Sequence, residues 1–339
     1  MRTGREQSKE QRRIRIRGKL MENLKSQLEG VGTVAIAGHV RPDGDCVGSC
    51  LAVYNYIKTY APQIQVDLYL QPIPNIFKFL KNSEKIKSEY PKMPAYDLFI
   101  MLDCGDTARL GDAAVYFEEA KKTVCIDHHV SNTGFADENY IFPKASSTSE
   151  LVFELIEEEK ITKEIAECIY VGIVHDTGVF QYSCTSAKTM AIAGKLMEMG
   201  IDFTSIVDKT FYEKTYNQNR IMGKALMDST LHLDGKVIFT AVTDADMKAF
   251  DVLPKHLDGI VNQLRVTKDV EVAVFLYETE EHGYKVSMRS QSEVDVAKIA
   301  MKFGGGGHIR AAGVTMYGSI SEIRDILLAE IEQQLELGS

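Results

Sequence analysis

The sequence predicts an α/β protein: an N-terminal domain with a parallel sheet and helices on both faces, a helical linker, and a smaller C-terminal α/β domain. Short apolar runs alternate with helix-like segments in the first half of the chain, which is typical of a parallel sheet. The pattern then becomes helical, and strand-like runs return in the last third. A chain of 339 residues is also longer than one typical domain, which favours two cores.

Four strands and one helix are predicted in the first half of the chain. The strands are apolar or alternating runs, at Thr33–Ala37, Val66–Leu70, Leu98–Leu102 and Thr123–Ile126. A helix-like segment from about Cys46 to Tyr60 follows the first strand and carries the small residues Gly48 and Ser49 near its start. The last two strands are each followed at once by an aspartate, Asp103 and Asp127. Polar residues in these positions predict a site at the carboxyl edge of the sheet.

Helical patterns dominate the middle of the chain, and strand patterns return after it. Amphipathic helices are predicted at 147–160 and 161–175, and a helical bridge at 186–229. Strand-like runs follow at Lys236–Val242, Val270–Tyr277 and Tyr284–Met288. We therefore predict four segments: a basic arm at 1–20, an N-terminal domain at 21–190, a helical linker at 191–229 and a C-terminal domain at 230–339.

The charge balance argues against a protein that coats long nucleic acids. The net charge is -9, from 39 basic and 48 acidic side chains. The first 20 residues hold eight basic and two acidic groups, so the rest of the chain is more acidic still. A broad basic track, which long nucleic acids need, is therefore not expected. We interpret the arm as a solvated leader into the first helix, in preference to a nucleic-acid-binding arm.

The sequence predicts a cytoplasmic protein that does not bind membranes. No apolar run approaches the roughly 20 residues that a membrane-spanning helix needs. The N-terminal segment lacks the apolar centre of a secretory signal. The six cysteines form no CxxC pair, which favours buried, reduced thiols over disulfides or a zinc knuckle.

Histidine and aspartate residues are concentrated in four segments at the ends of predicted elements. These are His39-Val-Arg-Pro-Asp43-Gly-Asp45, Asp103-Cys-Gly, Asp127-His128-His129 and His175-Asp176-Thr-Gly. Carboxylate and imidazole together suit divalent ions such as Mn²⁺, Fe²⁺, Co²⁺ or Zn²⁺ better than Ca²⁺. One such segment alone fits an ordinary surface loop. Four of them, each after an apolar run, predict one site.

The number of candidate ligands favours two cations that share a carboxylate. Seven ligands exceed what one tetrahedral ion uses, and so many carboxylates would repel one another unless cations neutralised them. Two ions about 3.5–4 Å apart can clamp a phosphoryl group during in-line displacement. The pattern therefore points to phosphoester chemistry.

These motifs resemble those of the DHH–DHHA1 phosphoesterase superfamily. The first motif of that family, H-x-x-P-D-G-D-x-x-G-S, matches residues 39–49 without a gap, and Asp-His-His stands at 127–129. The resemblance continues through Asp103 and Asp176 to the glycine-rich segment 304–308. It implies a catalytic DHH domain at 21–190 and a substrate-binding DHHA1 domain at 230–339.

The resemblance implies six ligands for two divalent cations, with Mn²⁺ as the expected ion: His39, Asp43, Asp45, Asp103, His128 and Asp176. The first two would hold one ion, and Asp45, His128 and Asp176 the other. Asp103 would be shared by both ions and would count as a catalytic residue.

Two further motif residues have implied roles beside the cations. Asp127 would orient a ligand imidazole through its second nitrogen. His129 would act on the reacting phosphate as a proton donor or hydrogen-bond partner. His175 is not a motif position, and we interpret it as a structural histidine at a helix end.

In the C-terminal domain, the resemblance implies five substrate-binding residues: Arg289, Gly305, Gly306, Gly307 and His308. Glycine backbone can approach a phosphate or base closely because no Cβ intervenes. The planar fork of Arg289 would grip a terminal phosphate, and His308 would contact the phosphate or base. Arg265 and Arg109 are weaker candidates.

The resemblance is to the stand-alone nanoRNase and pAp-phosphatase branch of the family. Its substrates would be very short oligoribonucleotides, cleaved to mononucleotides, and 3′-phosphoadenosine 5′-phosphate (pAp). One alternative is a phosphodiesterase for pApA or cyclic-di-AMP. An alternative of another class is a catalytically silent nucleotide-binding regulator. The sequence does not determine the oligomeric state, and a homodimer is among the alternatives.

Overall fold

The computed structural model describes residues 23–279 and 283–337. The chain divides into two compact units, Met1–Glu213 and Lys214–Ser339. The predicted basic arm at 1–20 lies outside the described residues. Among the residues that are described, no helix has the length and apolar character needed to cross a bilayer.

The first unit is built on a parallel sheet. Its described part contains six strands: β1 (Thr33–Ala37), β2 (Gln65–Tyr69), β3 (Ile86–Lys87), β4 (Leu98–Leu102), β5 (Thr123–Asp127) and β6 (Glu138–Ile141). They run in the order β3-β2-β1-β4-β5-β6, with every neighbouring pair parallel. The order reverses between β1 and β4, and a ligand crevice is expected outside the carboxyl ends at this point.

Seven helices accompany this sheet in the described part of the first unit: α1 (Leu24–Gln27), α2 (Gly44–Tyr60), α3 (Ala114–Glu119), α4 (Thr148–Leu155), α5 (Lys163–Asp176), α6 (Ala187–Glu198) and α7 (Phe203–Val207). Successive residues along each strand face opposite sides of the sheet. Ile36 and Ile100 face a core shared with α2, α4 and α5, whereas Phe99 and Met101 face a core with Tyr96 and α3.

Helices α2 and α5 pack closely because glycines stand where they meet. A Cβ on Gly48 of α2 would lie 2.4 Å from the carbonyl oxygen of Cys168 in α5, and one on Gly172 of α5 would lie 2.6 Å from Asp45 Oδ1 in α2. These approaches exclude even a methyl group. The close packing places the ends of both helices beside the crevice between β1 and β4.

The second unit has a mixed sheet. The described part contains six strands: β7 (Thr230–His232), β8 (Val237–Val242), β9 (Val272–Glu278), β10 (Tyr284–Ser290), β11 (Gly306–His308) and β12 (Ala311–Met316). Their order is β11-β12-β10-β9-β8-β7. The β8–β9 pair is parallel, and the other neighbouring pairs are antiparallel.

Both faces of the second sheet carry helices: α8 (Tyr216–Met227), α9 (Asp244–Ala249), α10 (Ile260–Arg265), α11 (Val296–Lys302) and α12 (Ile320–Leu337). Helices α11 and α12 pack on one face through Ile299 and Ile323, where they meet Val286 and Met288 of β10. Helices α8 and α10 pack on the opposite face, where Ile221 and Leu264 join Phe275 of β9.

The predicted fold class is confirmed. The sequence prediction missed the strands β3, β6, β7, β11 and β12, most of which are short, and it differs from the structure in the helices. The helix predicted over 147–160 ends at Leu155, because Ile156 turns to extended backbone and buries its side chain. The bridge predicted at 186–229 is broken into α6, α7, a π-helical turn at Asp208–Tyr212, and α8. The unit boundary at 213/214 divides the segment 191–229 between the two units.

All six cysteines, which lie within the described residues, are free thiols, as the sequence predicts. Five are buried as predicted, but Cys184 is exposed, so the prediction of burial is wrong for that residue.

We expect the substitution Gly48→Ala to destabilise the first unit by about 1–3 kcal/mol, because the new methyl group meets a backbone carbonyl that no rotamer change can move. Gly194→Ala in α6 is the matched control, since a Cβ there meets no atom within 4 Å and alanine favours helix by up to about 1 kcal/mol. Urea unfolding of both variants measures the difference. Equal or greater stability of Gly48→Ala would contradict the packing argument.

Candidate metal centre

The His39–Asp45 segment leaves the end of β1 and leads into α2. Asp43 caps this helix by accepting hydrogen bonds from the backbone N–H groups of Asp45 (3.2 Å) and Cys46 (3.1 Å). His39 is buried, and its Nδ1 donates to the Val40 carbonyl oxygen at 2.9 Å. That bond turns Nε2 towards the crevice, where it lies 3.5 Å from Asp43 Oδ2.

Asp103 follows β4 and stands at the middle of the cluster. Its backbone has a φ of 56°, a left-handed conformation that aspartate tolerates better than most residues. Its Oδ2 lies 3.4 Å from Nε2 of His39, and its Oδ1 lies 3.7 Å from Nε2 of His128. Oδ1 also lies 3.7 Å from Nδ1 of His129. One oxygen of the carboxylate thus faces His39, and the other faces His128 and His129.

A second group of ligand atoms surrounds His128, which follows β5. Its Nε2 lies 3.0 Å from Asp176 Oδ2 and 3.9 Å from Asp45 Oδ2. The ligand atoms of Asp45, His128 and Asp176 all lie within 4.8 Å of one another, close enough to hold one cation. Asp176 reaches this group from the last residue of α5, where three successive left-handed residues, 178–180, end the helix.

Asp127 holds an imidazole, but not that of a predicted ligand. Its buried Oδ1 accepts from His129 Nδ1 at 2.7 Å and from the backbone N–H of His128 at 2.9 Å. Its Oδ2 accepts from the Asn132 amide at 2.6 Å. The carboxylate therefore fixes the ring of His129 and leaves its Nε2 on the far side. The hydrogen bond to Asp127 raises the pKa of His129.

His175 and Cys46 are two further titratable residues beside the candidate ligands. The imidazole of His175 bonds Thr210 at 3.0 Å, packs beside Phe77 and Phe211, and has a pKa lowered to about 4 by burial. The Cys46 thiol lies with His39 and Asp103 in a third group of close ligand atoms. Burial raises its pKa well above the usual range, so it is a neutral thiol near pH 7 and a weak ligand.

A run of hydroxyl residues at Ser146–Ser149 belongs to the centre, and reasoning from the sequence missed it. The backbone N–H groups of Thr148 and Ser149 donate to the two oxygens of Asp45, at 2.6 Å and 2.9 Å. The Thr148 hydroxyl donates to Asp103 Oδ1 at 3.2 Å. The only signal in the sequence is the run of small polar residues at the start of a predicted helix.

In the second unit, Arg289 lies on β10 with Lys285 and Ser287, on the face opposite Val286 and Met288. The three side chains line a cavity of about 530 Å³ with the aromatic residues Phe275 and Tyr277. Lys255 and the carboxylate of Asp258 also line it. Three basic side chains, one acidic side chain and two rings leave an excess of positive charge, which suits a ligand that carries both phosphate and an aromatic base.

The glycine-rich segment has a structural reason for two of its glycines. A Cβ on Gly305 would lie 2.4 Å from the Gly313 carbonyl oxygen, and one on Gly307 equally close to that of Ala311. Both glycines let β11 approach β12. Gly306 meets no atom within 4 Å, and the side chain of His308 is exposed on β11. The outer part of the segment is therefore open to a ligand.

Comparisons with known proteins place this chain in a family. Residues 33–173 match the profile "DHH family, N-terminal domain", and residues 234–337 match "DHHA1 domain". A Thermus thermophilus protein, "Bifunctional oligoribonuclease and PAP phosphatase NrnA", is 30% identical over 90% of this chain and 90% of its own length. The chain belongs to the DHH–DHHA1 phosphoesterase family.

Other relatives match over similar lengths. A Bacillus subtilis protein with the same name is 27% identical over 88% of this chain and 94% of its own. A crystal structure of an exopolyphosphatase-related protein from Bacteroides fragilis superposes with a TM-score of 0.86, at 28% identity, and covers 92% of this chain and 95% of that one. Both domains of the family are therefore present in one chain.

The donor set of this DHH–DHHA1 chain fits divalent cations. Carboxylate oxygens and imidazole nitrogens converge on one crevice, and Asp45 and Asp103 are only 0% and 2% exposed. Buried carboxylates in contact need positive charge nearby. Burial and the Asp103 charge raise the pKa of Asp45, which is the response expected when that charge is not supplied.

Protons supply part of the positive charge when no cation is bound. Burial lowers the pKa of His39, but hydrogen bonds with Asp103 and Asp43 outweigh it and raise the pKa to about 11. Burial likewise lowers the pKa of His128, and the hydrogen bond with Asp176 and the charge of Asp45 raise it to about 10. Both rings are therefore protonated near pH 7.

We expect cation binding to release protons and to strengthen as the pH rises. Both imidazoles must lose a proton from Nε2 before they can bind a metal, so affinity should rise by about tenfold per pH unit for each proton displaced, up to the raised pKa values. Calorimetric titration with Mn²⁺ in two buffers of different ionisation enthalpy counts these protons. The variant His39→Asn should release about one proton fewer. Binding without proton release near pH 7 would contradict this assignment.

Proposed function

We propose that this chain is a Mn²⁺-dependent hydrolase that cleaves very short oligoribonucleotides to mononucleotides and removes a phosphate from pAp. The observation that carries the proposal is the carboxylate of Asp103, whose two oxygens face His39 on one side and His128 on the other. A shared carboxylate of this kind suits two adjacent cations. Relatives named for oligoribonuclease and PAP phosphatase activity cover about nine-tenths of the chain.

In this proposal the crevice holds two cations. His39 and Asp43 would bind one, and Asp45, His128 and Asp176 the other, with Asp103 contributing to both. The cations would neutralise phosphate charge and lower the pKa of bound water. The surrounding residues hold the ligands in place: the Val40 carbonyl fixes the tautomer of His39, and the first turn of α4 fixes Asp45.

His129 would donate a proton to the phosphate or to the departing oxygen. Asp127 holds its Nδ1 at 2.7 Å and raises its pKa, which increases the protonated fraction near neutral pH. The ring is partly exposed, so a substrate can reach Nε2.

Short substrates fit the charge distribution. A substrate with one or a few phosphates needs only two cations and a few local donors, for which we propose Arg289, Gly305, Gly306, Gly307 and His308. A long strand would need a continuous basic groove, which a chain with a net charge of -9 does not favour. The free thiols fit the cytoplasmic location that the sequence predicts.

We expect Mn²⁺-dependent turnover of pAp and of an end-labelled RNA dinucleotide to exceed turnover of an RNA of about 24 nucleotides by at least about tenfold. The measurement is product formation by the full-length protein, with Mn²⁺ and with a chelator. Including pApA and cyclic-di-AMP in the same panel tests the phosphodiesterase alternative. Faster cleavage of the long RNA would overturn the short-substrate proposal.

The substitution Asp103→Asn should reduce turnover by about a thousandfold or more, because it removes the charge that both cations would share while preserving side-chain volume. Asp112→Asn is the matched control, since Asp112 is exposed in the same unit, and we expect its turnover to change by less than about twofold. Thermal unfolding of both variants checks that they remain folded. A folded Asp103→Asn protein with near-normal turnover would contradict the proposed centre.

A further inference from the structure

The first turn of α4 forms the rear wall of the candidate metal centre. Thr148 and Ser149 give both of their backbone N–H groups to Asp45, and the Thr148 hydroxyl reaches Asp103. Asp45 has no exposed surface, so water cannot replace these donors if the turn moves. The position of this turn therefore determines how two carboxylates are held.

Glu150 links this turn to α6, a helix that is distant in the sequence. Its carboxylate is 1% exposed and accepts hydrogen bonds from the hydroxyls of Ser146 (2.6 Å) and Thr189 (2.7 Å). Lys188 Nζ lies 3.3 Å from its other oxygen. Thr189 and Lys188 belong to the start of α6, where Ser186 caps the helix and bonds Thr189 in turn.

Each end of this network is constrained. At the α4 end, the Ser147 hydroxyl caps the helix by accepting a hydrogen bond from the backbone N–H of Glu150 at 3.0 Å. At the α6 end, Thr189 is buried and its hydroxyl accepts a hydrogen bond from the backbone N–H of Ser186. A buried carboxylate with three partners leaves the turn little freedom, because the loss of any one of them would leave a buried charge less well compensated.

We propose that Glu150 is a positioning residue, which fixes the first turn of α4 so that Thr148 and Ser149 hold Asp45 and Asp103 in the geometry that binds cations. The inference rests on the proposed function in so far as Asp45 and Asp103 are metal ligands. It assigns a role to Glu150, whose described hydrogen bonds and ion pairs include none of the candidate ligands, and it predicts that changing this residue alters cation affinity.

The test compares cation affinity in full-length, metal-stripped protein, measured by calorimetric titration with Mn²⁺. Glu150→Gln and Thr189→Val should weaken binding by about tenfold to a hundredfold, the range typical for residues that support metal ligands. Glu154→Gln is the matched control: Glu154 also pairs with Lys188, at 2.8 Å, lies on the same helix, and has no bond to the turn among the described contacts. Its affinity should stay within about twofold of the unaltered protein.

A merely structural role predicts a different result. It would lower the unfolding midpoint of Glu150→Gln and leave the cation affinity of the folded protein unchanged, and that outcome would overturn the inference. If Glu150→Gln does not fold, the pair Thr189→Val and Thr189→Ser decides the matter, because serine keeps the hydroxyl that donates to Glu150. Serine should restore the affinity that valine loses, and equal affinity in both would overturn the proposal. The readout is cation binding, so a wrong substrate class would not be mistaken for failure here.

Discussion

The burial of negative charge at the carboxyl ends of β1 and β4, where the strand order reverses, is the constraint on which the first unit depends. Asp45, Asp103 and Asp127 are almost completely buried, although each carries a carboxylate. An unpaired charge in such a place would cost several kcal/mol. Each carboxylate is therefore met by specific donors: α4 N–H groups for Asp45, the Thr148 hydroxyl for Asp103, and His129 with Asn132 for Asp127.

The fold is arranged so that these donors can reach the crevice. The parallel order brings the ends of β1, β4 and β5 together. Gly48 and Gly172 then let α2 and α5 approach until the start of α4 stands against Asp45, and a Cβ on Gly172 would lie 2.6 Å from that carboxylate. The same glycines thus serve both packing and electrostatics: they allow the helices to meet, and they leave room for the carboxylate of Asp45.

The sequence predicts the fold class and the meeting of the His and Asp segments, because strand ends and parallel topology follow from apolar periodicity. It does not predict the donors behind Asp45, since backbone N–H groups carry no residue type. It also does not predict the hydrogen bond between Glu150 and Thr189, because these two residues are 39 positions apart. For Gly305 and Gly307 it suggests room for a ligand, whereas the structure adds a packing reason, the approach of β11 to β12.

The negative charges of this centre are balanced by two kinds of donor. Buried carboxylates are held by fixed backbone groups, and carboxylates nearer the surface are paired with imidazoles that can lose a proton. The deep carboxylate of Asp45 is held by backbone groups that cannot leave. Nearer the surface, the Asp43 side chain is 59% exposed and that of Asp176 is 23% exposed. Their partners are the imidazoles of His39 and His128, whose protons can exchange for cations. In the proposed two-cation centre, fixed donors behind Asp45 and exchangeable protons on the imidazoles would allow cations to bind without a rearrangement of the buried carboxylate, and an acidic chain would then present positive charge to phosphate.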